Sequence, residues 1–111
     1  MELHHRQLQI GARTIDVFEP EGMFIGGEVL EAFNQSLEAV LAREKPDIRI
    51  DCRRMTFMDS QGFGALVRAW SIAKRGGGRL VVDPQGNPRI RKMLEIVRFP
   101  FDTDDLDLGT S

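Results

Sequence analysis

The sequence holds a single cysteine, Cys52, which excludes an internal disulfide framework. Its two histidines, His4 and His5, complete a ligand stock too small for a structural zinc site. They are adjacent on an expected strand, so their side chains point to opposite faces and do not share a metal. A basic excess is also missing: 15 Lys and Arg stand against 17 Asp and Glu, a formal net charge of −2. A general nucleic-acid binder needs such an excess, so no nucleic-acid partner is expected. No stretch approaches the roughly 18 apolar residues of a membrane helix, so direct membrane insertion is not expected either. Met1 to Arg6 has no long apolar run behind it, which reads against a signal peptide. The cytoplasm is the expected compartment. Internal repeats, linkers and low-complexity blocks are absent from the sequence.

What is there is ordinary globular composition. Hydrophobic residues make up 41% and charged residues 29% of 111 residues, which argues against disorder. A chain of this length has room for one core. One domain is expected over residues 1–101. A tail over 102–111, acidic through Asp102, Asp104, Asp105 and Asp107, is expected to fray.

Two short strands are expected first. Leu3, Gln7 to Ile10 and Thr14 to Phe18 alternate between polar and apolar around a Gly11-Ala12 turn, the pattern of a hairpin. Pro20 and Gly22 are expected to end it, with a loop through Met23, Phe24, Ile25, Gly26 and Gly27. A first helix is expected from Gly27 to Arg43, with Val29, Leu30, Phe33, Leu37, Val40 and Leu41 on one stripe. Pro46 enforces its stop. Over Asp47 to Cys52, Ile48, Ile50 and Cys52 point one way and Asp47, Arg49 and Asp51 the other, a strand with one buried face. Cys52 then lies on the apolar face as an inert buried thiol. Arg53 to Met58 reads as a connector. A second helix is expected from Gln61 to Arg75, with Phe63, Leu66, Val67, Trp70 and Ala73 inward. Gly76 to Gly78 stops it. A short strand at Leu80 to Val82 follows. A third helix runs from Asn87 to Val97, with Ile90, Met93, Leu94 and Val97 inward, and Phe99 and Phe101 form a last short strand. Strand–helix–strand units of this length make right-handed parallel crossovers. The expected fold class is α/β: a small mixed β-sheet, built from a leading hairpin plus parallel strands, with helices mainly on one face.

The segment with chemical content is Asp59-Ser60-Gln61-Gly62-Phe63-Gly64, where a polar pair stands at the start of a helix rich in small residues. Asp and Ser are both favoured N-cap residues, so capping alone accounts for the pair. A serine at a helix N-terminus has a further property. Phosphorylated, its dianion lies at the positive end of the helix dipole, beside free N–H groups. It adds about −1.5 to −2 charge without melting the helix. A serine-hydrolase reading fails its context, because Gly-x-Ser-x-Gly is absent and no histidine follows Ser60. Gly76 to Gly78 lacks both a preceding strand and a following Gly-Lys-Ser/Thr, so it is no phosphate loop. Arg53 and Arg54 are read as solvated surface; the sharper alternative is that one of them flanks a phosphoserine or an acidic partner.

Phe57-Met58-Asp59-Ser60-Gln61-Gly62-Phe63-Gly64 resembles the signature of the bacterial anti-sigma-factor antagonists, the STAS-domain family, whose usual pattern is Asp-Ser-Ser-Gly-Leu-Gly opening a helix. The resemblance takes in the leading hairpin, Gly22 ahead of the first helix, the Gly76–Gly78 break before Leu80 to Val82, and the Asn87-Pro88-led third helix. Three features depart from the family, one being the short acidic tail where many members carry a final helix. Gln61 replaces the second serine, and Met23-Phe24-Ile25-Gly26 replaces the acidic Glu/Asp-Leu-Asp loop.

The resemblance implies a STAS-like fold and a non-enzymatic switch without a cofactor. Ser60 is then the phosphoacceptor, and the partner surface comprises Asp59, Ser60, Gln61, Gly62, Phe63, Gly64, Phe24 and Ile25. Asp59 caps the helix and positions the kinase, while Gly62 and Gly64 let a partner's backbone approach. The implied partners are an anti-sigma factor that is a GHKL-type serine kinase, bound while Ser60 is unphosphorylated and released afterwards, and a PP2C-type phosphatase that resets the serine. The alternative is a constitutive STAS accessory subunit of a larger assembly such as a lipid-transport ABC complex, which the apolar Met23-Phe24-Ile25 loop favours. A small hydrolase is the third class.

Overall fold

The computed structural model describes residues 2–84 and 86–97. Strand β1 (Glu2–Ile10) turns through Gly11, whose φ of 62° suits a residue without a side chain, into β2 (Arg13–Phe24). The two pair antiparallel from Glu2 opposite Glu21 to Ile10 opposite Arg13, with no slip of register. Helix α1 (Glu28–Leu41), strand β3 (Asp47–Asp51), strand β4 (Met55–Met58), helix α2 (Ser60–Arg75), strand β5 (Arg79–Asp83) and helix α3 (Pro88–Val97) follow. The sheet order is β1-β2-β3-β5, with β4 also beside β2, so the expected mixed sheet with a leading hairpin and parallel strands is what forms.

Three expectations need correction. Pro20 and Gly22 do not end the second strand, which continues to Phe24. Pro20 falls between the stretch paired to β3, Asp16 to Phe18, and the stretch paired to β4, Gly22 to Phe24. The ladder changes partner there, so the missing proline N–H is tolerated. Gly22, at φ 97°, takes up the irregularity where β4 begins.

The segment read as a connector contains β4. Phe18 faces Ile50 and Gly22 faces Met55, four residues along one strand against five along its neighbour. β4 therefore continues β3 along the same edge of β2, past a break with one residue in excess. Asn87 closes that break from a distance: its Nδ2 donates to the carbonyls of Cys52 (2.8 Å) and Met55 (2.7 Å), while its Oδ1 accepts the amide of Ile90 and caps α3.

The third correction is to helix faces. α2 buries Gly62, Ala65, Leu66, Ala69 and Ala73, whereas Phe63, Val67 and Trp70 flank the core half-buried. Small residues face inward because α2 packs closely on the sheet and on α1. In α3, Ile90 and Leu94 are inward and Met93 is half-buried, but Val97 is exposed. Residues 98–111 lie outside the described residues, and with them Phe99, Phe101 and the acidic tail.

One core holds the layers together. Phe18, Phe24, Ile48, Ile50, Cys52, Leu80 and Val82 from the sheet meet Leu30, Phe33, Leu37 and Val40 of α1, Leu66 of α2 and Ile90 and Leu94 of α3. All three helices thus cover one face. Phe33 stands edge-on to Phe24 at 4.8 Å and to Phe18 at 6.4 Å. The opposite face carries the alternate residues of each strand, tied by ion pairs of Arg6 and Arg54 with Glu19, Arg53 with Asp51 and Arg49 with Asp83.

Candidate functional site: the turn into the second helix

β4 delivers the chain to the end of β2, where Asp59 leaves the sheet in an extended conformation and caps α2. One oxygen of Asp59, Oδ1, accepts the amide of Gly62 at 2.8 Å. The other, Oδ2, accepts the amide of Gly26 at 3.3 Å, and the Asp59 amide itself donates to the Phe24 carbonyl. A single carboxylate thus satisfies the helix start and pins the β2–α1 turn to it. No other acid stands in the first turn of α2, and Lys74 and Arg75 occupy the last, so the helix charges complement its dipole.

Ser60 is the first helical residue and is exposed. Because Asp59 does the capping, the Ser60 hydroxyl makes no hydrogen bond among the described residues and is open to solvent. Gln61, also exposed, folds back over the turn: a β-carbon on Gly26 would lie 2.5 Å from Gln61 Cδ. Phe63 is half-buried beside them and Gly64 faces open space. Of the expected partner surface, Ser60, Gln61 and Gly64 are exposed, and Asp59, Phe63 and Ile25 are half-buried.

Two residues expected on that surface lie beneath it. Phe24 is fully buried against Phe33, because the strand continues and turns this position inward. Gly62 is buried as well. A β-carbon there would meet the Phe24 carbonyl oxygen, with Met58 Cγ at 2.8 Å and Phe24 Cδ2 at 2.9 Å. Its missing side chain admits the chain's own strand, not a visitor's backbone.

Met23 and Phe57 stand in their place. They face each other across β2 and β4 on the sheet face away from the helices, 54% and 41% exposed. Strand alternation would have found Met23, once β2 is carried past Pro20: Phe24 in means Met23 out. Gly26, whose amide meets Asp59, carries no sequence signal of that role.

No histidine reaches Ser60. His5 faces Phe18, six residues before Phe24 on β2, which is roughly 20 Å at the rise of a strand. His5 is held at 2.9 Å by Asp16 and stacks on Phe18 at 4.1 Å, while His4 pairs with Glu21 at 3.0 Å on the other face. The His–His metal pair is thus not formed. Both Asp59 oxygens accept backbone amides. Arg54 lies at the far end of β4 from Ser60, paired to Glu19 at 3.2 Å and Glu21 at 3.7 Å, and does not flank the turn. Cys52 is fully buried, and burial, with Asp51 and Asp83 nearby, pushes its thiol well above the ordinary range. The arrangement offers a rigidly mounted, accessible hydroxyl at the positive end of a helix. A negative charge placed on that hydroxyl would lie at the favourable end of the helix dipole.

Among the described residues no helix is long and apolar enough to cross a membrane. A family model described as Mlab, STAS domain, matches residues 25–100. Among solved structures, the anti-sigma factor antagonist SpoIIAA in its unphosphorylated form is similar at 17% identity, with 96% of each chain covered and a TM-score of 0.63. The Bacillus cell fate determinant SpoIIAA in the phosphorylated form is similar at 18% identity, with 85% of this chain and 83% of that one covered and a TM-score of 0.61. No curated protein matches.

Proposed function

The chain belongs to the STAS-domain family, and from that premise we propose that it is a non-enzymatic partner switch of the anti-sigma-factor-antagonist kind, with Ser60 as its phosphoacceptor. The observation that carries the reading is the exposed Ser60 hydroxyl at the start of α2, freed from structural duty by Asp59. The fold likeness to an anti-sigma factor antagonist solved in both unphosphorylated and phosphorylated forms supports it. Unphosphorylated, the turn at Asp59, Ser60 and Gln61, with Ile25, Phe63 and Gly64, binds a partner. Phosphorylation places a dianion in an interface built for a neutral hydroxyl and releases it. The partner class is a GHKL-type serine kinase acting as anti-sigma factor, with a PP2C-type phosphatase for reset, in the cytoplasm. No cofactor enters the proposal.

A second reading is favoured by the Met23–Phe57 pair. An exposed apolar pair beside the turn suits a permanent contact, as in an accessory subunit of a transport ATPase assembly, where Ser60 is never modified.

Capture of partners from source cells by wild type, Ser60→Asp and Met23→Asp separates the two. The switch predicts a kinase held by wild type and Met23→Asp, lost by Ser60→Asp, and a phosphate on Ser60 by mass spectrometry. An ATPase subunit held by Ser60→Asp, lost by Met23→Asp, with unmodified Ser60, overturns the switch and leaves the accessory subunit.

A further inference from the structure

The two edges of the sheet are treated differently. β5 at one edge is five residues long, and Leu80 to Asp83 are buried. β1 at the other edge is nine residues long, and every residue from His4 to Ile10 is exposed. Among the described residues β1 pairs with β2 alone. Its outer side therefore presents a row of N–H and C=O groups without ladder partners. Among the described residues few of the devices that guard such an edge are present. β1 has no proline and no bulge, and Arg6 is its one basic residue of fixed charge. Leu8 and Ile10 stand 36% and 55% exposed on it.

We propose that β1 is a self-association edge, pairing antiparallel with β1 of a second copy about a two-fold axis at Gln7. Symmetry and pleat select the register. A two-fold axis through the sheet keeps the helix-covered faces of both copies on one side. Facing residues must then come from the same face of each strand, so their numbers sum to an even value. A sum of 12 gives the longest overlap but sets Arg6 against Arg6, and like charges directly opposite are unfavourable. A sum of 10 gives an equal overlap but leaves the exposed Ile10 outside the pairing. A sum of 14 is the longest overlap left. It places Gln7 opposite Gln7, Leu8 opposite Arg6, Gln9 opposite His5 and Ile10 opposite His4. The exposed Leu8 and Ile10 are then covered by the stems of longer polar side chains. The result is one continuous sheet across two copies. β3 and β4 follow the other edge of β2, so both Ser60 turns stay accessible.

The register makes the test sharp. Light scattering on the full chain over a concentration series is expected to show a dimer. Leu8→Lys, which sets a second cation against Arg6 of the other copy, is expected to weaken it about tenfold, while Leu8→Asp is expected to hold or tighten it. Both substitutions fall on an exposed residue and leave the core intact. Single-cysteine variants read the register, since the native Cys52 is buried. Gln7→Cys is expected to cross-link under mild oxidation at least about tenfold faster than Arg6→Cys or Leu8→Cys, whose self-distances exceed disulfide reach in this register. A monomer at every concentration overturns the proposal. So does fastest cross-linking at Arg6→Cys or Leu8→Cys. A dimer that appears only when residues 98–111 are deleted also overturns it, because that segment is then the occupant of the edge.

Discussion

Gly62 lies directly beneath the Phe24 carbonyl, closer than any side chain permits: an added β-carbon would also be 2.8 Å from Met58 Cγ. This contact sets the height of α2 over the sheet and so the position of Ser60. Gly62→Ala is expected to destabilise the fold by about 1–3 kcal/mol, because backbone, not a flexible side-chain tip, must give way. Urea unfolding measures it. Gly64→Ala, where a β-carbon meets nothing within 4 Å, is the matched control and should not lower stability.

Asp59 and Ser60 are neighbours with separable duties. Asp59→Ala removes the acceptor of both the Gly62 and the Gly26 amide, and should cost about 1 kcal/mol of stability. Ser60→Ala should stay within about 0.5 kcal/mol of wild type, as a surface substitution does. Thermal melts of the two variants check the contrast; equal losses would mean that Ser60 shares the capping.

The Cys52 thiol is raised by burial, its largest cause, and by two neighbouring carboxylates. The native protein should therefore resist a thiol-specific reagent at pH 8, and react at the rate of an ordinary cysteine once unfolded in urea. Fast labelling of the native protein would place Cys52 at the surface.

Glu21 is held below its ordinary value of 4.5, first by its hydrogen bond with His4; desolvation opposes this, and the charge of Arg54 adds a smaller lowering. A carboxylate lowered on folding stabilises the native state above its unfolded value, and that contribution is lost as pH falls through the lowered one. His4→Ala should move Glu21 back up toward 4.5, read from its side-chain carbon chemical shift against pH. The acid limb of the stability curve should flatten slightly where Glu21 titrates.

Much of this was legible in the sequence, and the reason differs by element. α1 declared itself through Leu30, Phe33, Leu37 and Val40 at helical spacing, and the same four are buried. Asp59 was readable as a cap because the chemistry of capping is local. The failures are non-local. The end of β2 was hidden because Pro20 and Gly22 are turn residues in isolation, and only the change of partner from β3 to β4 makes them strand residues. β4 is four residues long, too short for alternation to register. The true inner face of α2 was obscured because Phe63, Val67 and Trp70 are more apolar than the alanines that pack inward. Hydrophobicity ranks side chains by what they gain from burial, whereas close approach of a helix to a sheet ranks them by size.

The bridge made by Asn87 has a temporal meaning. A ribosome releases β1 through α2 before the residues that complete the joint between β3 and β4: the Asp83 carbonyl that accepts the Cys52 amide, and the Asn87 amide that takes up the Cys52 and Met55 carbonyls. Until both have emerged, the segment that launches Ser60 toward α2 has its acceptors and donors in water. A nascent chain therefore carries Ser60 on an unfinished mount, and domains generally fold as units. The setting of Ser60 is complete only once β5 and the start of α3 have emerged.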